Sequence, residues 1–244
     1  MSRSSVYVFV DLDDSLLQTR EKCRQGPLTE AAHDRTGAPL SFHTPQQRAL
    51  LELFHGALLI PVTGRNLTAL RRVVSPSFAS YRITSHGALV LGPDERPLPG
   101  WDGRLREQVP YWTARLSDAA GLAEELILSE QLGLRVRIIE DLGIPVYVSV
   151  KGPSPELARL GELLVPSWRD GILHRNDQNL ALLPSFADKA AAVRFLMDEI
   201  LQDADGGEPL FIGVGDSLTD LPFLRHCHFA VVPQHSQIQC CTWP

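Results

Sequence analysis

The chain begins its hydrophobic pattern with VYVFV (6–10), which breaks at once into Asp11, Leu12, Asp13, Asp14, Ser15 and Leu16. An apolar run this short suits a strand buried on both faces. TPQQRALLELFHG (44–56) has helical spacing: Thr44 is placed to cap, Pro45 fits the first turn, and Leu50, Leu51 and Phe54 share a face. ALLIPV (57–62) predicts a second strand, NLTALRRVV (66–74) a short helix and YRITS (81–85) a third strand. This alternation predicts parallel strands joined by right-handed crossovers. A polar insert, residues 17–43, separates the first strand from the first helix. Its AAHDRTGAPLSF stretch predicts two extended pieces about a Gly turn. The insert reads equally as a solvated loop or as a flap leaving directly from Asp11–Asp13.

The rhythm changes between residues 86 and 183. GALVLGPDERPLPG predicts a hairpin turning at Gly92–Glu95, followed by a helix within 104–132. LRVRIIED and IPVYVSVKG flank a Leu-Gly turn as a second hairpin over 134–152. ELARLGELLV (156–165) predicts a helix, and GILHR with NLALLP a third hairpin over 171–184. Helix-strand-strand occurring twice predicts an antiparallel sheet with helices on one face. The α/β rhythm then resumes with a helix over 188–201, a strand over 209–216, a short helix in LTDLPFLRH and a last strand at 229–232. The expected organisation is a core of residues 1–85 and 184–244, interrupted by an α+β domain of residues 86–183.

With 244 residues, 44% of them hydrophobic, the chain can bury a full core. A net charge of −6 without a long basic run argues against a nucleic-acid partner. No apolar stretch approaches a membrane span, and the N-terminal apolar run is too short for a secretory signal. Cys23, Cys227, Cys240 and Cys241 lack metal-ligand spacing, and His226 and His228 alternate without a third ligand nearby. These observations lead us to expect a cytoplasmic protein without disulfides.

Four segments fall at the end of a core strand or the start of a core helix, so all can reach one crevice at the sheet edge. The first holds Asp11 and Asp13. The second, VTGR, supplies the Thr63 hydroxyl, the Gly64 N–H and Arg65 beside a helix start, which suits an anion. The third is Lys189, in the first turn of a helix, where the macrodipole disfavours a cation unless an anion is near. The fourth, GVGDSLTD, holds Asp216 and Asp220. Four carboxylates at one edge repel each other, and a hard divalent cation such as Mg2+ relieves that. Each segment alone has a plain reading as a turn, a helix cap or a solvated residue; their order is what carries the argument. Asp14 reads as a turn residue.

That order resembles the haloacid dehalogenase-like superfamily, over residues 6 to about 232. DLDDS stands for the first motif, VTGR for the second, Lys189 for the third and GDSLTD for the fourth. The αββ-αββ insert looks like a type II, subclass B cap, and ITSHGALV is similar to the segment entering it. The resemblance implies an α/β fold, with a Rossmann-like parallel-sheet core and an inserted α+β cap domain. It implies a Mg2+-dependent phosphatase acting on a small phosphorylated metabolite, a sugar phosphate above all. Asp11 would be the nucleophile and Asp13 the acid/base. Thr63, Gly64, Arg65 and Lys189 would hold the phosphoryl group, and Asp11, Asp13 and Asp216 the metal, with Asp220 beside them. Asp14, Ser15, Ser217, Thr219 and His86 depart from the commonest residues of the pattern. Arg137, Lys151, His174, Arg175 and Asn176 are candidates for specificity contacts in the cap. QTREK (18–22) leaves a phosphomannomutase-like mutase open, and a non-catalytic phosphometabolite-binding protein is a third reading.

Overall fold

The structure is a computed structural model describing residues 5–23, 26–176, 178–202 and 208–242. It divides into two compact units: residues up to Trp101 together with those from Lys189 onward, and Asp102–Asp188. The strands of the first stretch are β1 (Val6–Val10), β2 (Gln18–Thr19), β3 (Thr29–His33), β4 (Pro39–His43), β5 (Leu58–Pro61), β6 (Arg82–Thr84) and β7 (Leu89–Leu91). Its helices are α1 (Pro45–Leu53) and α2 (Leu67–Leu70). Helix α3 (Pro99–Ser129) leads into β8 (Arg135–Asp141), β9 (Ile144–Lys151), α4 (Ser154–Leu164), β10 (Ile172–Asn176) and β11 (Asn179–Leu183). The chain then continues through α5 (Lys189–Phe195), β12 (Leu210–Val214), α6 (Leu221–Leu224), β13 (Phe229–Val231) and α7 (Gln237–Thr242). No helix among the described residues is long and apolar enough to cross a membrane.

The first unit is built on a parallel four-stranded sheet in the order β13-β12-β1-β5. β1 lies inside this sheet and is buried on both faces. Phe9 packs with Ile60, Val193 and Phe223 on one side; Val8 and Val10 pack with Leu12, Leu16 and Val214 on the other. Apolar residues at every position therefore follow from its central place. α1 starts with a reciprocal capping box: Gln47 N donates to Thr44 Oγ1 at 3.3 Å, and Thr44 N donates to Gln47 Oε1 at 2.9 Å.

Three expectations change. The strand expected at 81–85 meets the parallel sheet through one bridge, Val62 with Ile83, and forms an antiparallel pair with β7. That pairing keeps residues 86–101, expected in the inserted domain, within the first unit. The helix expected over 66–74 is only α2, because Val73 turns into a bridge with Ala32. The two extended pieces expected in the insert, by contrast, are borne out as β3 and β4, which pair about the turn holding Gly37, and β2 extends them into an antiparallel sheet in the order β2-β4-β3. Asp34 closes its turn by accepting from Thr36 N, Thr36 Oγ1 and Ala38 N at 2.8, 2.7 and 3.0 Å.

The second unit is an antiparallel sheet in the order β10-β11-β9-β8 with two helices, as the repeated helix-strand-strand pattern predicts. β8 and β9 are joined through Leu142 and Gly143, both at positive φ (49° and 78°), the geometry of a tight type I′ hairpin turn. Both helices lie on the face that carries Leu180 and Leu182. Gly161 of α4 lies against Leu180, while Ala119 and Leu122 of α3 and Leu164 of α4 line a small cavity with Leu182.

Candidate functional site

The carboxyl ends of β1, β5 and β12 bring the sequence-predicted residues of the core together. Asp11 follows β1 directly, and its N–H donates to Val214 O at 2.8 Å, which fixes it to the neighbouring strand. Lys189, the first residue of α5, is buried and donates from Nζ to Asp11 Oδ1 at 2.7 Å and to Asp220 Oδ1 at 2.6 Å. The cation disfavoured at a helix start thus stands between two anions. Ligand oxygens of Asp11, Asp216 and Asp220 lie within 4.8 Å of one another.

The two acids of GDSLTD have different surroundings. Asp220 is fully buried and both of its oxygens are engaged. Oδ2 accepts from Asp216 N at 3.2 Å, Ser217 N at 3.0 Å and Ser217 Oγ at 2.7 Å, while Oδ1 takes Lys189. Among the described residues, the Asp216 carboxylate accepts from Ser15 Oγ alone, at 3.0 Å on Oδ1. Among the described residues, no hydrogen bond reaches Oδ2 of Asp11 or of Asp216. Two hard carboxylate oxygens left over in a buried acidic cluster form a donor set that fits Mg2+.

The electrostatics point the same way. Burial raises the Asp11 pKa well above the ordinary carboxylate value; Lys189 opposes this, and Asp220 and Asp216 add to it. Burial, then Asp220, pushes Asp216 up to about 7. For Lys189, burial works against the charge, but Asp11 and Asp220 hold its pKa above that of ordinary lysine. One ammonium therefore does not satisfy three acids.

Asp13 is more than half exposed and gripped by Arg65, whose Nε donates to Oδ2 at 2.8 Å and Nη2 to Oδ1 at 2.6 Å. This two-point pair joins the first and second motifs. Asp14 sits at φ 67° and accepts from Lys22 Nζ at 2.6 Å, as a turn residue outside the cluster. Thr63 is buried and its Oγ1 accepts from Arg65 N at 3.1 Å. Gly64 is required by packing: a Cβ there would stand 2.5 Å from Cε1 of His86. His86 belongs to a left-handed run, Ser85 (φ 51°), His86 (φ 60°) and Gly87 (φ 99°), tied back by Ser85 N donating to Arg65 O at 2.8 Å and His86 N donating to Thr63 O at 2.9 Å. Strained backbone of this kind persists only where its surroundings fix it.

Sequence reasoning missed Ser15 and Ser217, which orient Asp216 and Asp220. A serine two residues after Asp13 and one after Asp216 is the signal that was there to be read. In the second unit, pairing sorts the expected contacts. Lys151, Arg137, His174 and Asn176 share a sheet face, because Arg135 opposes Lys151, Arg137 opposes Ser149, and Ala181 and Asn179 pair with His174 and Asn176. Arg175 pairs with Leu180 and so stands on the helix-covered face. Arg135, opposite Lys151, stands on the face of the other four.

No family model matches the chain, and no curated protein matches it in sequence. Solved structures do. The C-terminal domain of trehalose-6-phosphate phosphatase from C. albicans aligns over 91% of this chain and 73% of its own, with a TM-score of 0.58 and 14% identity. A haloacid dehalogenase-like hydrolase from Bacteroides thetaiotaomicron aligns over 94% of both chains, with a TM-score of 0.51 and 12% identity. The sucrose-phosphatase of Synechocystis sp. PCC6803, solved with sucrose and phosphate, covers 99% of this chain and 87% of its own, with a TM-score of 0.50 and 16% identity. At these identities the likeness is one of architecture: the chain has the fold of the haloacid dehalogenase-like hydrolases.

Proposed function

We propose that this protein is a Mg2+-dependent phosphatase that hydrolyses a small phosphate monoester, a sugar phosphate, through an aspartyl-phosphate. The observation that carries the reading is the buried Lys189 held between Asp11 and Asp220, next to the under-satisfied Asp216. That arrangement suits a nucleophilic carboxylate facing a dianionic phosphoryl group, where charge neutralisation and positioning are the main catalytic tasks. Two structures of like fold are named as sugar phosphatases, which favours a phosphorylated sugar.

In this reading an oxygen of Asp11 attacks phosphorus as the bond to the leaving oxygen breaks. Asp13, the more exposed acid, exchanges a proton with that leaving oxygen and then with the water that cleaves the aspartyl-phosphate, once the phosphoryl group draws Arg65 off its carboxylate. Lys189, Thr63 and the Gly64 N–H hold the phosphoryl oxygens. Arg65 keeps Asp13 in place and reaches toward the same anion. Asp11, the Asp13 carbonyl and Asp216 would hold Mg2+, which supplies positive charge to the phosphoryl oxygens when bound. Asp220 acts through Lys189 and the Asp216–Ser217 backbone, since both of its oxygens are already engaged.

The test is phosphate release from p-nitrophenyl phosphate and a panel of sugar phosphates in Mg2+, with Asp11→Asn as control. Turnover lost by at least about a thousandfold in the variant supports the reading. No release from any substrate, or equal rates from the variant, overturns it.

A further inference from the structure

His43 is a buried histidine, 1% exposed, that the core chemistry does not use. It ends β4, and its two ring nitrogens meet backbone carbonyls from two other parts of the first unit. Nδ1 donates to Leu16 O at 2.8 Å and Nε2 donates to Ser75 O at 2.9 Å. A neutral imidazole has one N–H, so only the imidazolium donates at both ends. With the proton gone, one of the two carbonyls faces a lone pair. The charged groups on the elements packed against His43 have other partners. Glu30 of β3 meets His33 at 3.4 Å, and Arg48 of α1 reaches Thr29 Oγ1 at 3.3 Å and Glu52 at 3.9 Å. Asp14 and Asp13, in the turn after β1, pair with Lys22 and Arg65. Arg71 and Arg72, after α2, bond Glu95 and Thr68 O. After β2, Arg20 lies over the Phe42 ring and Glu21 is exposed. Two carbonyls, and no carboxylate among the described residues, therefore hold the His43 ring. Four residues further on, Gln47 Nε2 donates to Ser15 O at 3.1 Å, while its Oε1 accepts from Thr44 N in the capping box. The chain entering α1 thus grips two successive carbonyls of the turn that follows β1. The first of these belongs to Ser15, whose hydroxyl donates to Asp216 at 3.0 Å.

We propose that His43 is a positioning residue of the acidic site: as an imidazolium, and together with Gln47, it fixes the Ser15–Leu16 backbone, and through the Ser15 hydroxyl it orients Asp216 for Mg2+. This rests on the place given to Asp216 in the phosphatase reading above. The insert of residues 17–43 then serves the site without covering it, because β4 returns His43 to the turn from which the insert departs. Groups that orient a metal ligand are worth about 10–100-fold in metal affinity.

Two variants loosen the grip. His43→Gln has one amide in place of two opposed N–H groups, and Gln47→Glu keeps the oxygen that caps α1 while losing the donor to Ser15 O. In each, the Mg2+ concentration giving half of the full melting-temperature shift, and that giving half-maximal phosphate release, should rise at least about tenfold. Thr44→Ala, which removes the cap hydroxyl and leaves both carbonyl ties, should keep the wild-type values. In wild type at pH 6, nitrogen-edited NMR should show two slowly exchanging ring N–H protons that are absent from His43→Gln, a signature that needs neither metal nor turnover. A single such proton overturns the proposal. So does either variant, folded, that keeps the wild-type Mg2+ dependence, or a wild type without a Mg2+ melting shift. A weakened shift in both variants, with no phosphate release from wild type, keeps the positioning role and removes the phosphatase reading. Phosphate release with the same Mg2+ dependence in all four proteins removes the positioning role alone.

Discussion

Asp216→Asn should make the metal-free protein more stable while removing its response to Mg2+. The Asp216 carboxyl is half-buried beside Asp220 and Asp11 and is pushed up to about 7. Between the ordinary value of 3.8 and about 7, the folded state keeps a proton that the unfolded state has lost. Stability therefore falls as pH rises through that window and is flat above it. A carboxyl held near 7 rather than 3.8 costs about 4 kcal/mol above pH 7, taking ~1.4 kcal/mol for each tenfold change in proton affinity. Relaxation around a partly exposed group lowers that to roughly 2–4 kcal/mol. Asparagine keeps the oxygen that accepts from Ser15 and carries no charge, so it removes the cost. At about 2–4 °C per kcal/mol for a chain of this size, Tm should rise by roughly 4–16 °C. The assay is thermal melting in EDTA at pH 8 and pH 4, and again with saturating Mg2+. Wild type should gain roughly 3 kcal/mol at a hundredfold excess over Kd, and the variant little. At pH 4 the two proteins should melt together without metal. A variant that melts below wild type at pH 8 in EDTA would refute the reasoning, as would a full Mg2+ response in the variant.

Lys189→Met leaves Asp11 and Asp220 buried without their shared cation, and should cost about 3–5 kcal/mol in urea unfolding at pH 8 along with phosphatase activity. Gly64→Ala places a Cβ 2.5 Å from the His86 ring and should lower kcat/KM at least about tenfold. Because the ring causes the clash, Gly64→Ala/His86→Ala should recover part of that loss, with a coupling above about 0.5 kcal/mol in a double-mutant cycle. Burial pushes the Cys227 thiol up to about 12, so a thiol reagent at pH 8 should label the exposed Cys240 and Cys241 first, and Cys227 only on unfolding. Equal labelling rates in the native protein would contradict the burial of Cys227.

What could be read from the sequence was whatever depends on local order. Asp11 and Lys189 were legible because a strand end and a helix start can be recognised within a few residues, and a parallel sheet brings such points to one edge. The strand at 82–84 was legible as a strand, but not as a partner of β7 rather than a full member of the parallel sheet. Alternation gives each strand two faces, yet only pairing with Leu180 reveals which face Arg175 takes. Ser15 was legible as a small polar residue after two acids, but its partner lies 201 positions away. No periodicity carries information over that span.

The same reasoning explains why GVGDSLTD needs both of its glycines. A Cβ on Gly213 would stand 2.7 Å from Leu224 and 2.9 Å from Cys227 Sγ, and one on Gly215 would stand 2.7 Å from Asp220 Cβ. Neither residue has a positive φ, so conformational freedom is not the reason. The glycines let β12 approach the turn into α6 closely enough for Asp220 to reach Lys189 at 2.6 Å. Displacing that turn by the width of a methyl group would separate the ion pair and draw the Asp220 carboxylate from the backbone N–H groups of Asp216 and Ser217. Asp216 would then lose its fixed place beside Asp11. Close packing at two residues that carry no functional group therefore sets the position of the acid proposed to hold Mg2+.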